Sequence, residues 1–322
     1  MNKTLLIKFS FFLLITVSCN KEIIEKPNIV LIVADDLGWS DLSYMGSTYY
    51  ETPNIDKLSK SGMTFYNGYA SAANCAASRA TLLSGKYNTD HGIYTVNNSD
   101  RGSKKTRKLI PIETKTTLDL DFFVIPEMLK DLGYVNGHFG KWHLGDIGFH
   151  PENSGFDVNI GGNKHGGPGS YFAPDPYVKL EDETKGEYLT DRIGDEVVKF
   201  IDINKENNFF AYVPFFSVHT PIQSKTDYQK KYRNKDSNEY HNRADYAGMI
   251  QSLDENVGKI IDKIDALNLS DNTLIIFTSD NGGIRAISDQ YPLRAGKGSY
   301  YEGGIRVPLI FSWKGKIDAG SK

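Results

Sequence analysis

The sequence has little of several features that would indicate other classes of protein. It contains only 2 cysteines in 322 residues, which excludes a small fold held together by several disulfides. Its formal net charge is −3, so the chain as a whole is not attracted to nucleic acid or anionic lipid. It has no internal repeat and no low-complexity tract. With 39% apolar and 24% charged residues, it has the composition of a globular protein, long enough for one large α/β domain.

An apolar run near the N-terminus, residues 9–18, is too short to span a bilayer comfortably. With the lysines that precede it and the small residues before Cys19, it predicts a secretory signal over residues 1–19. The Val-Ser-Cys ending is similar to a bacterial lipobox, although Thr16 stands where leucine is usual. The alternatives are a lipid on Cys19 or simple cleavage, followed by a tether of residues 20–26. Either predicts export to the periplasm or cell surface, and lipidation adds an outer-membrane anchor.

The two cysteines, Cys19 and Cys75, would be expected to form a disulfide in an exported protein. If Cys19 belongs to the leader or carries a lipid, Cys75 has no partner. An unpaired thiol is a liability in an oxidising compartment. The count therefore favours a chemical role for Cys75.

Three apolar runs without polar alternation, residues 27–34, 209–218 and 273–279, predict strands buried on both faces of a parallel sheet. Apolar residues at helical spacing over 246–264 predict a long helix, and a shorter helix is predicted over 125–133. Strands that alternate with helices predict an α/β fold with a mostly parallel central sheet sandwiched by helices.

Polar residues follow each of these predicted strands. Asp35 and Asp36 follow the first, His219 the second, and Asp280 and Asn281 the third. Because the carboxyl ends of parallel strands meet at one sheet edge, we expect these side chains to lie close together. Carboxylate and amide oxygens select Ca²⁺ or Mg²⁺ rather than zinc. The alternative is that both acidic pairs are ordinary turn residues.

The sequence around Cys75 favours a helix over residues 76–84, with Gly85 as its C-terminal stop. Cys75 would then lie at the helix N-terminus, where the backbone favours negative charge. Arg79, four residues later, shares its face of the helix. The alternative is a small apolar cysteine in a buried helix.

Three further cationic or titratable residues lie in glycine-rich segments. Lys141 and His143 belong to the segment 140–145 and would lie on one side of an extended chain, and Lys297 is flanked by glycines. Together they could bind a tetrahedral oxyanion beside a metal, as phosphoryl or sulfuryl transfer requires. Taken singly, each would be a solvated surface group. The Gly- and Pro-rich residues 161–175 predict an irregular loop that overhangs such a site.

These segments together resemble the type I, formylglycine-dependent sulfatase family of the alkaline phosphatase superfamily. Cys75-Ala-Ala-Ser-Arg79 matches the family's Cys-x-Pro/Ala-x-Arg motif, with alanine as the less common third residue. Residues 27–38, 140–145 and 298–308 match other family blocks in the family's order. The resemblance covers nearly the whole predicted exported chain.

The resemblance implies that residues 27–322 are a sulfatase catalytic domain. In it Cys75 would be oxidised to Cα-formylglycine by a formylglycine-generating enzyme or an anaerobic sulfatase-maturating enzyme. The hydrated aldehyde would attack the sulfur of a sulfate ester. The implied ligands of one Ca²⁺ ion are Asp35, Asp36, Asp280, Asn281 and the modified Cys75.

The resemblance also implies roles in the reaction. Asp280 would take the proton of the nucleophile, and Arg79 and Lys141 would hold the hydrate and its charge. His219 and Lys297 would bind the sulfate and assist the leaving alcohol. His143 would be the base that releases sulfate and restores the aldehyde.

One departure from the family is that this sequence ends at Lys322, so the resemblance implies that a C-terminal antiparallel-sheet subdomain is missing. The expected substrate is a sulfated polysaccharide or oligosaccharide, and nucleic acid is not an expected partner. The alternatives are a phosphomonoester or phosphodiester hydrolase of the same superfamily, or an inactive truncated binding protein. A basic run at Lys104, Lys105, Arg107 and Lys108 would either follow a sulfated chain or form a solvated loop.

Overall fold

The computed structural model describes residues 26–100 and 102–322. The predictions of a signal and of a lipid on Cys19 lie outside these residues. Lys26, assigned to the tether, already contacts the fold, because its Nζ donates a hydrogen bond of 2.7 Å to the carbonyl of Leu132. Within the described parts of the chain, no helix has both the length and the apolarity needed to cross a membrane.

The described residues form helices and strands that alternate along much of the chain. The strands are β1 (Asn28–Ala34), β2 (Met63–Thr64), β3 (Gly68–Tyr69), β4 (Val135–Phe139), β5 (Val158–Ile160), β6 (Phe209–Pro214), β7 (Thr273–Ser279), β8 (Arg306–Val307) and β9 (Leu309–Ser312). The α-helices are α1 (Pro53–Ser61), α2 (Cys75–Ser84), α3 (Asn88–His91), α4 (Ile125–Asp131), α5 (Leu189–Ile203), α6 (Thr226–Arg233), α7 (Ala244–Ala266) and α8 (Glu302–Ile305).

The main sheet has seven strands in the order β2-β9-β7-β1-β6-β4-β5. The five strands from β7 to β5 are parallel to their neighbours, and β9 and β2 add an antiparallel edge. Strand β1 lies between β7 and β6, so three carboxyl ends meet at the centre of one edge. The prediction of a mostly parallel α/β sheet is confirmed.

Helices cover both faces of the sheet, each over its own apolar core. Val30 and Ile32 of β1 pack into a core with α1, α5 and α7, whereas Leu31 and Val33 pack into a second core with α2 and α4. Because successive strand residues point to opposite faces, a strand covered on both sides must be apolar throughout. This is why β1 shows no polar alternation.

Two of the predicted elements agree closely with the structure. Helix α2 begins at Cys75 and ends before Gly85, which has the left-handed φ of 65° that glycine tolerates best. Helix α7 covers the apolar stripe predicted over 246–264 and extends a little beyond it at both ends. In both cases local residues alone define the helix.

The second predicted strand is shorter than expected. Strand β6 ends at Pro214 rather than Val218. Residues 215–218 then leave the sheet and run beside the end of β1, where the N–H of Asp35 donates to the carbonyl of Ser217 and the N–H of Val218 donates to the carbonyl of Asp35. These residues are apolar because they are buried, and an apolar run alone does not distinguish a buried strand from a buried loop.

Candidate active site

The polar residues that follow β1 and β7 converge, as predicted. Carboxylate oxygens of Asp35, Asp36 and Asp280 lie within 4.8 Å of one another, and all three residues are buried. The backbone N–H of Asp36 donates to Asp280 Oδ1 at 3.2 Å, which joins the two strand ends directly. Asp36 has a φ of 62°, a left-handed conformation that aspartate tolerates better than most residues.

Asp36 contacts groups from four other segments. Its Oδ1 accepts a hydrogen bond of 2.8 Å from Asn281 Nδ2 and lies 3.8 Å from Cys75 Sγ. Its Oδ2 is 2.7 Å from Lys297 Nζ and 3.6 Å from His219 Nε2. Asp36 therefore brings five of the predicted site residues together.

Arg79 and Lys141 neutralise the other two carboxylates. Arg79 Nε donates to Asp280 Oδ2 at 2.8 Å, its Nη2 lies 2.8 Å from the same oxygen as an ion pair, and its Nη1 donates to the carbonyl of Lys141 at 3.0 Å. Lys141 Nζ is 2.7 Å from Asp35 Oδ2. Arg79, Lys141, Asp35 and Asp280 are at most 2% exposed, so these pairs lie in a medium of low dielectric.

The carboxyl groups differ in protonation behaviour. Burial raises the pKa of Asp280, but the charges of Arg79 and Lys141 outweigh it and lower the pKa to about 2. Burial raises the pKa of Asp35; the ammonium of Lys141 opposes this and the charge of Asp280 adds to it. Burial lowers the pKa of Lys297, but nearby acidic groups, the carboxylates of Asp36 and Asp35 among them, raise it above its usual value. The site thus contains as many basic residues as carboxylic acids, three of each.

The donor set fits a hard divalent cation. Oδ1 of Asp35 and Oδ1 of Asn281 are buried oxygens that accept no hydrogen bond from the protein. Buried acceptors normally have a partner; Asp35 lies in one group of carboxylates with Asp36 and Asp280, and Asn281 is hydrogen-bonded to Asp36 through Nδ2. Oxygen donors with two unfilled positions match the preference of Ca²⁺ or Mg²⁺.

Cys75 is the first residue of α2 and is 1% exposed. Burial, with the charges of Asp35 and Asp36, raises the pKa of its thiol to about 12 although Lys141 opposes the shift. The unmodified residue is therefore a neutral thiol at physiological pH. It is a poor nucleophile in this form, since thiolate rather than thiol is reactive.

His143 lies at the same site, but the extended chain predicted from its spacing to Lys141 is not what brings it there. Residues 141–143 are not an extended strand, and His143 has a φ of 62°. Lys141 turns toward Asp35, while His143 faces the loop of residues 161–175. Burial and the charges of Lys141 and Arg79 lower the pKa of His143 to about 2, so its ring is neutral.

The glycine-rich loop overhangs the site as predicted. A Cβ on Gly166 would lie 2.5 Å from Cε1 of His143, and one on Gly167 would lie 2.8 Å from Nδ1 of His219. Only glycine allows the backbone to approach both rings this closely. His219 Nδ1 lies 2.7 Å from the carbonyl of Thr220, which favours a proton on Nδ1 and directs Nε2 toward Asp36.

Sequence reasoning missed two residues that support the site. Asp41 accepts hydrogen bonds from the backbone of Gly38 and from Ser288 Oγ, and Gln290 packs against Gly38 and Gly283. Both connect the loops that follow β1 and β7. The signal for Asp41 was an acidic residue shortly after the Asp-Asp pair, whereas Gln290 had none.

The basic run is not part of the cluster. Lys104, Lys105 and Lys108 are exposed, and Arg107 pairs with Asp100 at 2.8 Å. This placement is that of a solvated loop, the alternative given above.

Comparison with known proteins identifies the family. The Sulfatase family model matches residues 27–322. A sulfatase of Formosa agariphila is 36% identical over 372 residues, covering 96% of this chain and 67% of that protein. The N-acetylgalactosamine-6-sulfatase of Homo sapiens is 32% identical, covering 92% of this chain.

Solved structures give the same result. The crystal structure of Ps i-CgsB superposes with a TM-score of 0.78 at 36% identity, over 92% of this chain and 68% of that chain. The chain spans only 58% of the human relative. The family match nevertheless extends through every segment that contributes to the acidic cluster, and the chain therefore belongs to the sulfatase family of the alkaline phosphatase superfamily.

Proposed function

We propose that this protein hydrolyses sulfate esters of sulfated saccharides. The observation that carries the proposal is the buried cluster in which Cys75, three carboxylates and three cations meet at the carboxyl ends of β1 and β7. Cations beside a hard-metal site can stabilise the charge of a sulfuryl group in transfer.

One Ca²⁺ ion is proposed to be held by Asp35, Asp36, Asp280, Asn281 and the modified Cys75. Two observations support it: the unpartnered Oδ1 atoms of Asp35 and Asn281, and the mutual proximity of the three carboxylates. When bound, the ion would polarise a sulfate oxygen and favour the anionic form of the nucleophile.

Cys75 is proposed to be converted to Cα-formylglycine by a formylglycine-generating or anaerobic maturating enzyme. The raised pKa of its thiol supports the need for modification, since the residue as encoded is neutral at physiological pH. The hydrated aldehyde would supply the oxygen nucleophile. Its position at the start of α2 places it next to Asp36.

The other site residues would bind, orient and move protons. Arg79 and Lys141 would fix the carboxylates of Asp280 and Asp35 and hold the hydrate, and Asp280 would accept the proton of the nucleophile. Lys297 and His219 would bind the sulfate, with His219 Nε2 assisting the departing alcohol oxygen. Neutral His143 would accept the proton that accompanies sulfate release, since its lowered pKa leaves the ring unprotonated.

The proposed substrate class, sulfated polysaccharide or oligosaccharide, is supported by relatives. Ps i-CgsB, 36% identical, has been crystallised in complex with k-i-k-neocarrahexaose, and the mammalian relatives are N-acetylgalactosamine-6-sulfatases. The proposed location is the periplasm or bacterial surface, by way of the signal over residues 1–19. A lipid on Cys19 would anchor the protein to the outer membrane.

A phosphate ester hydrolase is the competing function, because cations and a hard metal also suit phosphoryl groups. The test is to produce the protein with a maturating enzyme and to compare the hydrolysis of 4-nitrophenyl sulfate and 4-nitrophenyl phosphate. We expect faster sulfate release, and mass spectrometry of the Cys75 peptide should show an aldehyde in place of the thiol. Faster phosphate cleavage would contradict the proposal.

Cys75→Ala is the matched control, because it keeps the small buried side chain and removes the site of modification. It should fold and show no sulfate release. Full activity of protein in which Cys75 is still a thiol would exclude the formylglycine mechanism, and full activity after exhaustive chelation would exclude the metal.

A further inference from the structure

A cavity of about 240 Å³ lies beside His143 and the first turn of α2. Ala76, the residue after Cys75, and His143 form part of its wall. The rest of the wall comes from the segments around Thr95, Thr117 and Lys164. A molecule in this cavity would thus lie against two groups that border the Cys75 site.

Half of the described residues that line the cavity are uncharged and polar. They offer the hydroxyls of Thr95 and Thr117 and the amide of Asn97. One ion pair also lines it, Lys164 Nζ to Asp146 Oδ2 at 2.6 Å. Both side chains of this pair are half exposed, so each retains capacity for further hydrogen bonds.

The size and the chemistry of the cavity together select the ligand. Pockets for drug-sized ligands usually have about 300–1,000 Å³, so a cavity slightly smaller suits one sugar ring better than an extended chain segment. Hydroxyl, amide, carboxylate and ammonium groups can each bond to sugar hydroxyls. Because Asp146 and Lys164 cancel in charge, the wall offers no surplus positive charge for a second sulfate.

We propose that this cavity binds one sugar ring of the substrate through uncharged hydroxyl groups, with Asp146 accepting and Lys164 donating hydrogen bonds. The cavity would therefore favour a ring whose sulfate is the one in the acidic cluster over a ring with an additional sulfate. This inference rests on the proposed sulfatase function and adds the residues that select the sugar.

The test uses the double variant Asp146→Asn, Lys164→Gln in the matured full chain. Exposed ion pairs contribute little to stability, so the variant should fold normally. Two sugar substrates are compared, N-acetylgalactosamine 6-sulfate and a neocarrahexaose. For the one that the wild-type protein cleaves, we expect kcat/KM to fall about tenfold, the equivalent of roughly 1.4 kcal/mol. Hydrolysis of 4-nitrophenyl sulfate, which has no sugar hydroxyls, should not change.

The control variant is Asp195→Asn, Lys259→Gln, which removes a similar exposed pair of 2.8 Å between α5 and α7. It should leave all rates unchanged. An equal loss on the sugar and aryl substrates in the Asp146 and Lys164 variant would overturn the proposal, because the effect would then lie in the site common to both. No loss on either substrate would overturn it as well.

A binding measurement separates this proposal from the sulfatase function itself. Saturation-transfer NMR with unsulfated N-acetylgalactosamine and the unmodified chain needs no turnover. A signal that weakens in the Asp146 and Lys164 variant supports the cavity even if no sulfate ester is cleaved. The absence of a signal from the wild-type chain overturns the proposal even if sulfate is released.

Discussion

Two buried clusters lie close together after β1, and they are stabilised in different ways. In the charged cluster, Asp35, Asp36 and Asp280 face Arg79, Lys141 and Lys297. The other cluster is called the neutral network here because its hydrogen-bond donors are uncharged: Asp41 accepts hydrogen bonds from Gly38 N, Ser288 Oγ and Tyr246 OH, with His241 Nε2 3.5 Å away. The two clusters are joined by the turn at Gly38.

The difference separates a reactive site from its support. Each oxygen of Asp41 has a hydrogen-bond donor, so neither oxygen of this carboxylate is left free for a ligand. The charged cluster contains three cations, and Asp35 Oδ1 and Asn281 Oδ1 still accept no hydrogen bond. A buried acid that needs no further partner holds the fold, whereas acids with unfilled oxygens are arranged for something that binds.

The largest expected effect is that of Asp36→Asn in the charged cluster. Asp36 contacts Asn281, Lys297 and Cys75, so its charge is central to the proposed metal and sulfate sites. We expect sulfate release to fall by a factor of about 10²–10³, the usual cost of removing one electrostatic group from an active site. Calcium should no longer raise the melting temperature, measured by differential scanning fluorimetry with and without a chelator. Wild-type activity in this variant would contradict the conclusion that the charged cluster is the reactive site.

The second effect concerns stability and should appear in the neutral network. Asp41→Asn replaces one of the two acceptor oxygens with an NH2 donor, opposite either Ser288 or Tyr246, and hydrogen bonds to charged groups contribute about 1.5–3 kcal/mol. We expect the free energy of unfolding in urea to fall by about 2–3 kcal/mol. The calcium-dependent rise in melting temperature should persist. If that rise disappears while stability is unchanged, Asp41 acts on the metal rather than on the fold.

The smallest effect is a pH dependence that arises from His241. Burial lowers the pKa of His241, and the charges of Asp41 and Asp289 only partly oppose it. As pH falls below about 6.5, the unfolded chain therefore takes up a proton more readily than the folded chain, and stability decreases. One such group contributes at most about 1.4 kcal/mol per pH unit.

His241→Gln should flatten this dependence between pH 7 and pH 5, as measured by urea unfolding at each pH. His165→Gln, a substitution in the glycine-rich loop where His165 stacks on Tyr177, is a control outside the network. It should keep the wild-type slope. The same slope in both variants would show that His241 does not control the acid stability of the network.

Much of the fold could be predicted from local pattern. The apolar runs of β1 and β7 and the helical period of α7 lie in the sequence itself, because burial on both faces or on one helix face dictates residue type. Residues 215–218 were misassigned to a strand, since burial makes loops apolar too. The left-handed backbone of His143 could not be predicted, because it depends on the loop that packs over its ring.

The amino-acid sequence is enough to identify the available chemical groups and roughly where they meet: acids after two parallel strands, and a cysteine at the start of a helix. Parallel topology brings such strand ends to one edge, so their convergence follows from the strand pattern. How the charges pair depends on the folded structure, which puts Arg79 on Asp280, Lys141 on Asp35 and Lys297 on Asp36. The folded structure also decides which oxygens stay without donors, because pairing and desolvation depend on distances between segments far apart in the chain.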